Sequence, residues 1–290
     1  GNDVTITVNI EGGMPIHEVT GLTHSINVQK HSKTSMQVSL QNQSTIADKD
    51  FVLAYRLSGD HTVLASLTHR SPRHESGCQD GYFTLVLQPK WKIEEAEFAP
   101  REVILLLDTS GSMNGSSISQ MRIFADRILA ELHPQDTLRV ASFNNSVREF
   151  EPSPVSATHD NVAAARQFVR SLQASGGTNL LPALRTVLQD HADESTGSRY
   201  LFLLTDALVG NDNSILSYLN NSEVSDVRIF PVCFGAAPNH YLISRAAEIG
   251  RGFSMQVTNQ DNSVKLATRF NQKTSAPYMT DVAIDWGSLN

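Results

Sequence analysis

The run Asp108-Thr-Ser-Gly-Ser-Met-Asn-Gly115 follows directly on the apolar stretch Val103-Ile-Leu-Leu-Leu107. A carboxylate has no solvent inside a buried strand, so an Asp at the strand's end reaches the carboxyl edge of its sheet, where open α/β sheets bind ligands. Ser110 and Ser112 add hydroxyls at alternate positions, and Gly111 and Gly115 let the loop fold back on itself. Two later stretches carry similar oxygens. Ser175-Gly-Gly-Thr-Asn179 precedes a helix, and its paired glycines let Thr178 approach a neighbouring loop. Leu203-Leu-Thr-Asp-Ala207 places Asp206 just past a core strand. Taken singly, Gly-Gly-Thr-Asn reads as a plain turn and an Asp after a strand as a helix cap. Together they gather hard oxygen ligands at one end of a sheet, which suits a divalent cation, Mg²⁺ above all, with Mn²⁺ or Ca²⁺ as alternatives.

Other chemistries fit these residues less well. An aspartic protease needs a second such carboxylate sharing a proton, on an all-β fold. An aspartyl-phosphate phosphatase calls for a second Asp at position 110, which is Ser110. A serine hydrolase needs Gly-x-Ser-x-Gly at a strand-to-helix elbow, a frame absent from 108–116. His17, His24 and His31 recur every seven residues, but strand-like sequence does not align them, so no zinc site is read. The acidic run Glu94-Glu-Ala-Glu97 reads as a solvated linker edge, with weak Ca²⁺ binding as the alternative.

The loops need elements to hold them in place. Up to about residue 95 the chain reads as short alternating strands, at 4–10, 25–28, 35–40, 51–57, 64–67 and 82–87. That pattern predicts an antiparallel β-sandwich. From about residue 100 strands alternate with helices. Strands are expected at 103–107, 138–143, 199–205 and 227–234, with an edge strand within 252–257. A stripe of Ile118, Met121, Ala125, Ile128, Leu129 and Leu132 marks the first helix. Asp160 reads as the N-cap of a helix over 162–172, and Pro182 opens one over 183–191. Further helices are expected at 214–219, 240–249 and 262–271. The fold class is therefore α/β, a doubly wound and mostly parallel sheet, plus the sandwich. The stretch 277–286 returns to period two, with Val282, Ile284 and Trp286 on one side. A lone strand is unstable, so it is expected to join the N-terminal sheet. The α/β domain, 99–276, would then be inserted into a sandwich built from 1–98 and 277–290. An extended tail, or the first strand of a missing module, is the alternative.

Bulk properties narrow the partners. A net charge of −7, with both signs mixed along the chain, argues against nucleic acid and against anionic lipid. No apolar run approaches the ~20 residues that span a bilayer. The chain starts Gly1-Asn2-Asp3, which reads as a mature fragment or an excised piece, so targeting is not read from it. Cys78 lies in a loop-like stretch and Cys233 in a core strand, so no disulfide is expected between them. Asn-x-Ser/Thr occurs at Asn42, Asn114, Asn144 and Asn220. A glycan on Asn114 would block the oxygen cluster, which favours a bacterial over a eukaryotic source.

The Asp-x-Ser-x-Ser run with the later Thr178 and Asp206 resembles the von Willebrand factor A fold and its metal-ion-dependent adhesion site, over roughly residues 100 to 275. The resemblance implies that Ser110 and Ser112 coordinate the ion directly. Asp108 and Asp206 would hold it directly or through water, and Thr178 would join in one state and leave in another. It also implies a non-enzymatic adhesion module in which a carboxylate of a protein partner completes the coordination. Asn114, Gly177, Asn179 and Ala207 would form the rim. Ala207 departs from the family, where Gly is usual. Asp48-Lys-Asp50 ahead of Phe51, the join into the A domain and the trailing Ala276-Pro-Tyr-Met-Thr-Asp-Val282 resemble inter-alpha-trypsin inhibitor heavy chains and their bacterial surface relatives. That likeness implies an extracellular or cell-surface setting. A structural or assembly module with a non-adhesive metal site is the alternative function, and a phosphatase-like hydrolase the less favoured one.

Overall fold

Period-two alternation sets the N-terminal strands. A computed structural model of the chain describes residues 4–41, 50–57, 59, 61–70, 81–90, 100–189, 198–221, 226–235, 238–275 and 283–285. The chain divides into two units, Gly1–Phe98 with Tyr278–Asn290, and Ala99–Pro277. The first unit holds β1 (Thr7–Glu11), β2 (Glu18–Gly21), β3 (Ile26–Lys30), β4 (Ser35–Leu40), β5 (Leu53–Arg56), β6 (Val63–Arg70) and β7 (Gly81–Gln88). Among the described residues all pairings of this unit are antiparallel: a β1-β4-β3 sheet, a β2-β5 pair and a β6-β7 pair. In β4, Met36, Val38 and Leu40 are buried and the residues between them are half-buried, as alternation requires. Met36 and Val38 join Ile10 and Ile16 in a small core, against which Val19 of β2 and Leu53 of β5 pack.

The second unit carries β8 (Arg101–Asp108), α1 (Ser116–Ala130), β9 (Thr137–Phe143), β10 (Val147–Glu149), β11 (Val155–Ser156), α2 (His159–Ser171), α3 (Leu180–Leu188), β12 (Ser198–Thr205), α4 (Asp212–Leu219), β13 (Val227–Phe234), α5 (His240–Ile249), β14 (Met255–Val257) and α6 (Ser263–Thr274). The sheet order is β10-β9-β8-β12-β13-β14, with β11 also on β9. Strands β9, β8, β12, β13 and β14 run parallel, and β10 and β11 are antiparallel to β9. Helices α1, α2 and α6 cover one face, around Phe124, Phe202 and Phe270. Helices α3, α4 and α5 cover the other, around Ile104, Leu184 and Ile243. Every residue of β8 is buried, because it lies mid-sheet under both layers. The chain leaves β8 for β9 on one side and returns to β12 on the other. The crevice where ligands collect in such sheets therefore opens at the carboxyl ends of β8 and β12.

Several boundaries differ from the sequence reading. Thr158, not Asp160, caps α2; its backbone is extended and its hydroxyl accepts from the Asn161 N–H at 3.3 Å. Asp160 falls in the first turn, where an acid suits the helix dipole. Helix α3 begins at Leu180, ahead of Pro182, because Leu180, Ala183, Leu184, Val187 and Leu188 form one buried stripe. Pro182 sits in the first turn, whose N–H groups have no helical partner to lose. Helix α6 continues past 271 to Thr274, which is buried and whose carbonyl accepts from the Arg101 guanidinium. Strands β2, β10 and β11 are too short to have been read from alternation. Ala283, Ile284 and Asp285 are exposed and in no strand, so the expected strand over 277–286 is not seen there. Its remaining residues, like Asn42, Cys78, the Glu94–Glu97 run and the Asp48-Lys-Asp50 stretch up to Lys49, lie outside the described residues.

Candidate metal centre

Asp108 is the last residue of β8 and has no exposed surface. In register with its neighbours, Leu107 lies opposite Leu204, which sets Asp108 beside Thr205 at the end of β12. The Thr205 hydroxyl donates to Asp108 Oδ2 at 2.5 Å and the Ser110 N–H donates to Oδ1 at 2.8 Å. Burial pushes the Asp108 carboxyl above its ordinary range; these hydrogen bonds pull the other way, and the nearby Asp206 charge adds to the rise. After Ser110 the chain makes a short 3-10 turn, Gly111–Met113, which brings the Ser110 and Ser112 hydroxyls to 3.1 Å of each other.

The second loop is tied to the first along the main chain. The Gly111 N–H donates to the Gly176 carbonyl at 2.9 Å, and the Ser175 N–H to the Thr109 carbonyl at 2.8 Å. Thr109 itself is fixed to the end of β9, donating through N–H and hydroxyl to the Phe143 carbonyl at 2.8 and 2.9 Å. On its far side the loop meets the β9–β10 turn. The Gly177 N–H donates to Asn145 Oδ1 at 2.8 Å, and Asn179 Nδ2 to the Asn145 carbonyl at 3.0 Å. The Asn179 N–H donates to the Asn144 carbonyl at 2.8 Å. Thr178 is half-buried, and its hydroxyl makes no hydrogen bond to the other candidate ligands.

In the third loop Asp206 is buried and its Oδ1 accepts from the Leu208 N–H at 3.2 Å. The Ala207 N–H donates to Thr205 Oγ1 at 2.8 Å, so one hydroxyl links the first and third loops. Ala207 has φ 57°, in the left-handed region where a Cβ is strained. That is the physical reason a glycine suits this position. Ala207 is also fully buried among the α3–α5 layer, so it cannot touch an outside ligand, whereas the next residue, Leu208, is exposed. Asn114, Gly177 and Asn179 are exposed. Asn114 Oδ1 accepts from the Gly115 N–H at 2.9 Å. Thr205 and Asn145 were missed in the sequence, since neither residue type marks a ligand.

The residues fit a hard divalent cation. Asp108 is a buried acid whose hydrogen-bond donors are neutral, so its ionised form lacks a compensating charge. In an octahedron with Mg²⁺–O bonds of about 2.0–2.1 Å, adjacent oxygens lie about 2.9 Å apart; the Ser110–Ser112 hydroxyl spacing is 3.1 Å. Among the described residues no group of three or more His, Cys, Asp or Glu side chains is placed to hold a metal. The cluster depends instead on neutral hydroxyls beside Asp108 and Asp206, a donor set that suits Mg²⁺ and disfavours zinc.

Residues 101–255 match the family model described as von Willebrand factor type A domain. Human inter-alpha-trypsin inhibitor heavy chain H4 is 26% identical over 270 residues, covering 89% of this chain and 28% of that protein. A von Willebrand factor A domain-containing protein of Dictyostelium discoideum is 24% identical, covering 98% of this chain and 14% of its own length. The chain thus spans under a third of the length of these relatives. Among solved structures, von Willebrand factor type A from Catenulispora acidiphila superposes with a TM-score of 0.55 at 18% identity, over 75% of this chain and 46% of that one. An aerotolerance-related membrane protein from Bacteroides fragilis, with multiple mutations to serines, gives a TM-score of 0.50 at 17% identity, over 60% of this chain and 98% of that one. These two likenesses concern the fold. No helix among the described residues is long and apolar enough to cross a membrane.

Proposed function

The chain belongs to the von Willebrand factor type A domain family, and from that premise we propose that it is a non-enzymatic ligand-capture module. Asp108, Ser110, Ser112, Thr178 and Asp206 would hold one divalent cation, Mg²⁺ before Mn²⁺ or Ca²⁺. When bound, the ion supplies an electrophilic position that an outside carboxylate can fill. The chain's own residues do the rest. Ser110 and Ser112 offer neutral oxygens, which leave the ion's charge unquenched. Thr205 and the Ser110 N–H orient Asp108, and the Leu208 N–H orients Asp206. The partner would be a protein presenting an acidic side chain, at an extracellular or cell-surface location, with this chain forming part of a longer surface protein.

The observation that carries this reading is the pairing of the buried, neutral-partnered Asp108 with the Ser110 and Ser112 hydroxyls 3.1 Å apart. Among the described residues these hydroxyls meet each other, and Ser110 also the Asp108 carboxylate, with no histidine base hydrogen-bonded to them, which favours binding over acyl transfer. Cys233 offers no nucleophile either, because burial pushes its thiol up to about 12 and the Asp206 charge adds to this. The test is capture of acidic peptides on the immobilised chain. Retention in Mg²⁺ that is abolished by EDTA, and by amidation of the acidic side chains, supports the proposal. Retention indifferent to both favours a structural module instead.

A further inference from the structure

Thr178 makes no hydrogen bond of its own to the other candidate ligands, yet the residues on either side of it are bound to the same partner. Asn145 Oδ1 accepts from the Gly177 N–H at 2.8 Å, and the Asn145 carbonyl accepts from Asn179 Nδ2 at 3.0 Å. The side chain also fills the space that glycine leaves. A Cβ on Gly176 would lie 2.9 Å from Asn145 Nδ2, and one on Gly177 would lie 2.6 Å from Oδ1. Gly176 additionally has φ +78°.

Asn145 is itself held firmly. It sits in the turn between β9 and β10, closed by the Asn144 N–H to the Ser146 carbonyl at 3.0 Å and by the Ser146 N–H to Asn144 Oδ1 at 3.1 Å. The main-chain ties of Ser175 and Gly176 to Thr109 and Gly111 fix the loop's other flank. Thr178 is therefore aimed by its neighbours, and Asn145 grips both, Gly177 through its side-chain oxygen and Asn179 through its main-chain carbonyl.

We propose that Asn145 is the positioning residue for Thr178, setting where that hydroxyl stands relative to Ser110 and Ser112. Its consequence for metal affinity rests on the function proposed above; its action on the loop does not. The two are separated by using two readouts on the full chain.

The first is amide hydrogen exchange at Gly177 without added metal. Asn145→Ala is expected to speed exchange by about 5–10-fold while the melting temperature holds. Asn145→Asp, which keeps an acceptor oxygen, restores protection. Gly177→Ala, whose Cβ would lie 2.6 Å from Asn145 Oδ1, speeds exchange at its own amide in the same way as Asn145→Ala. Identical exchange in wild type and Asn145→Ala overturns the proposal.

The second readout is titration with Mg²⁺ alone. Asn145→Ala is expected to weaken uptake about 10-fold, as loss of an outer-shell partner does. Thr178→Ala should weaken it similarly, and the double variant no further. Multiplying losses would show that Asn145 acts independently of Thr178 and would overturn the proposal. Altered exchange in a protein that takes up no Mg²⁺ would refute the metal reading and leave the positioning of Thr178 supported.

Discussion

A buried carboxylate met only by neutral donors leaves a signature in stability. Burial raises the folded-state pKa of Asp108 above its unfolded value, so the fold holds the protonated form more tightly. Metal-free stability should therefore be greatest below the unfolded pKa, fall as pH rises towards the folded pKa, and level off above it. Asp108→Asn removes that slope. Melting both proteins in EDTA from about pH 4 to 8 should show wild type losing ground to the variant as pH rises; parallel curves would count against it. A second residue-scale effect lies at Ala207. Its left-handed conformation costs about 1–2 kcal/mol, and glycine gives back about 0.5–1 kcal/mol through greater freedom of the unfolded chain. Ala207→Gly should stabilise the protein by up to about 1 kcal/mol, measured by denaturant unfolding.

Between elements, Thr205 does what neither loop can do alone. Its hydroxyl donates to Asp108 at the end of β8 and accepts from the Ala207 N–H beyond β12. Thr205→Val keeps the shape and strips both bonds, leaving buried polar groups unpaired at a cost of about 1–3 kcal/mol. Thr205→Ser should recover most of that loss, and an equal loss in both variants would show that packing of the methyl matters instead. This bond joins residues 97 apart in sequence and depends on strand register, which is why Thr205 was not legible beforehand. Asn145 was hidden for the same reason, since its grip on Gly177 spans 32 residues and a hairpin turn. By contrast β8, β12 and β13 were plain in the sequence, because strands covered on both faces carry continuous apolar runs, and β9 was read from Leu138, Val140, Ala141 and Phe143 despite Arg139 and Ser142. The start of α2 was misplaced because Thr158 and Asp160 are both capping types, and only the extended backbone of Thr158 decides between them.

At the scale of the molecule, every candidate ligand lies in the Ala99–Pro277 unit and none in the other. Among the described residues the first unit's core is small, built around Ile10, Ile16, Met36 and Val38, whereas the second buries two extensive layers. Calorimetric melting should therefore resolve two transitions. Mg²⁺ at about 100 times its Kd should raise the second unit's stability by about 2.7 kcal/mol and leave the other transition in place. A single transition, or an equal rise in both, would contradict this separation. Isothermal titration of Mg²⁺ into the whole chain asks whether the oxygens around Asp108 hold a cation. Wild type should take up a single ion, and Asp108→Ala and the Ser110→Ala, Ser112→Ala double variant none. Equal heats from all three proteins, or no uptake by the wild type, would contradict it.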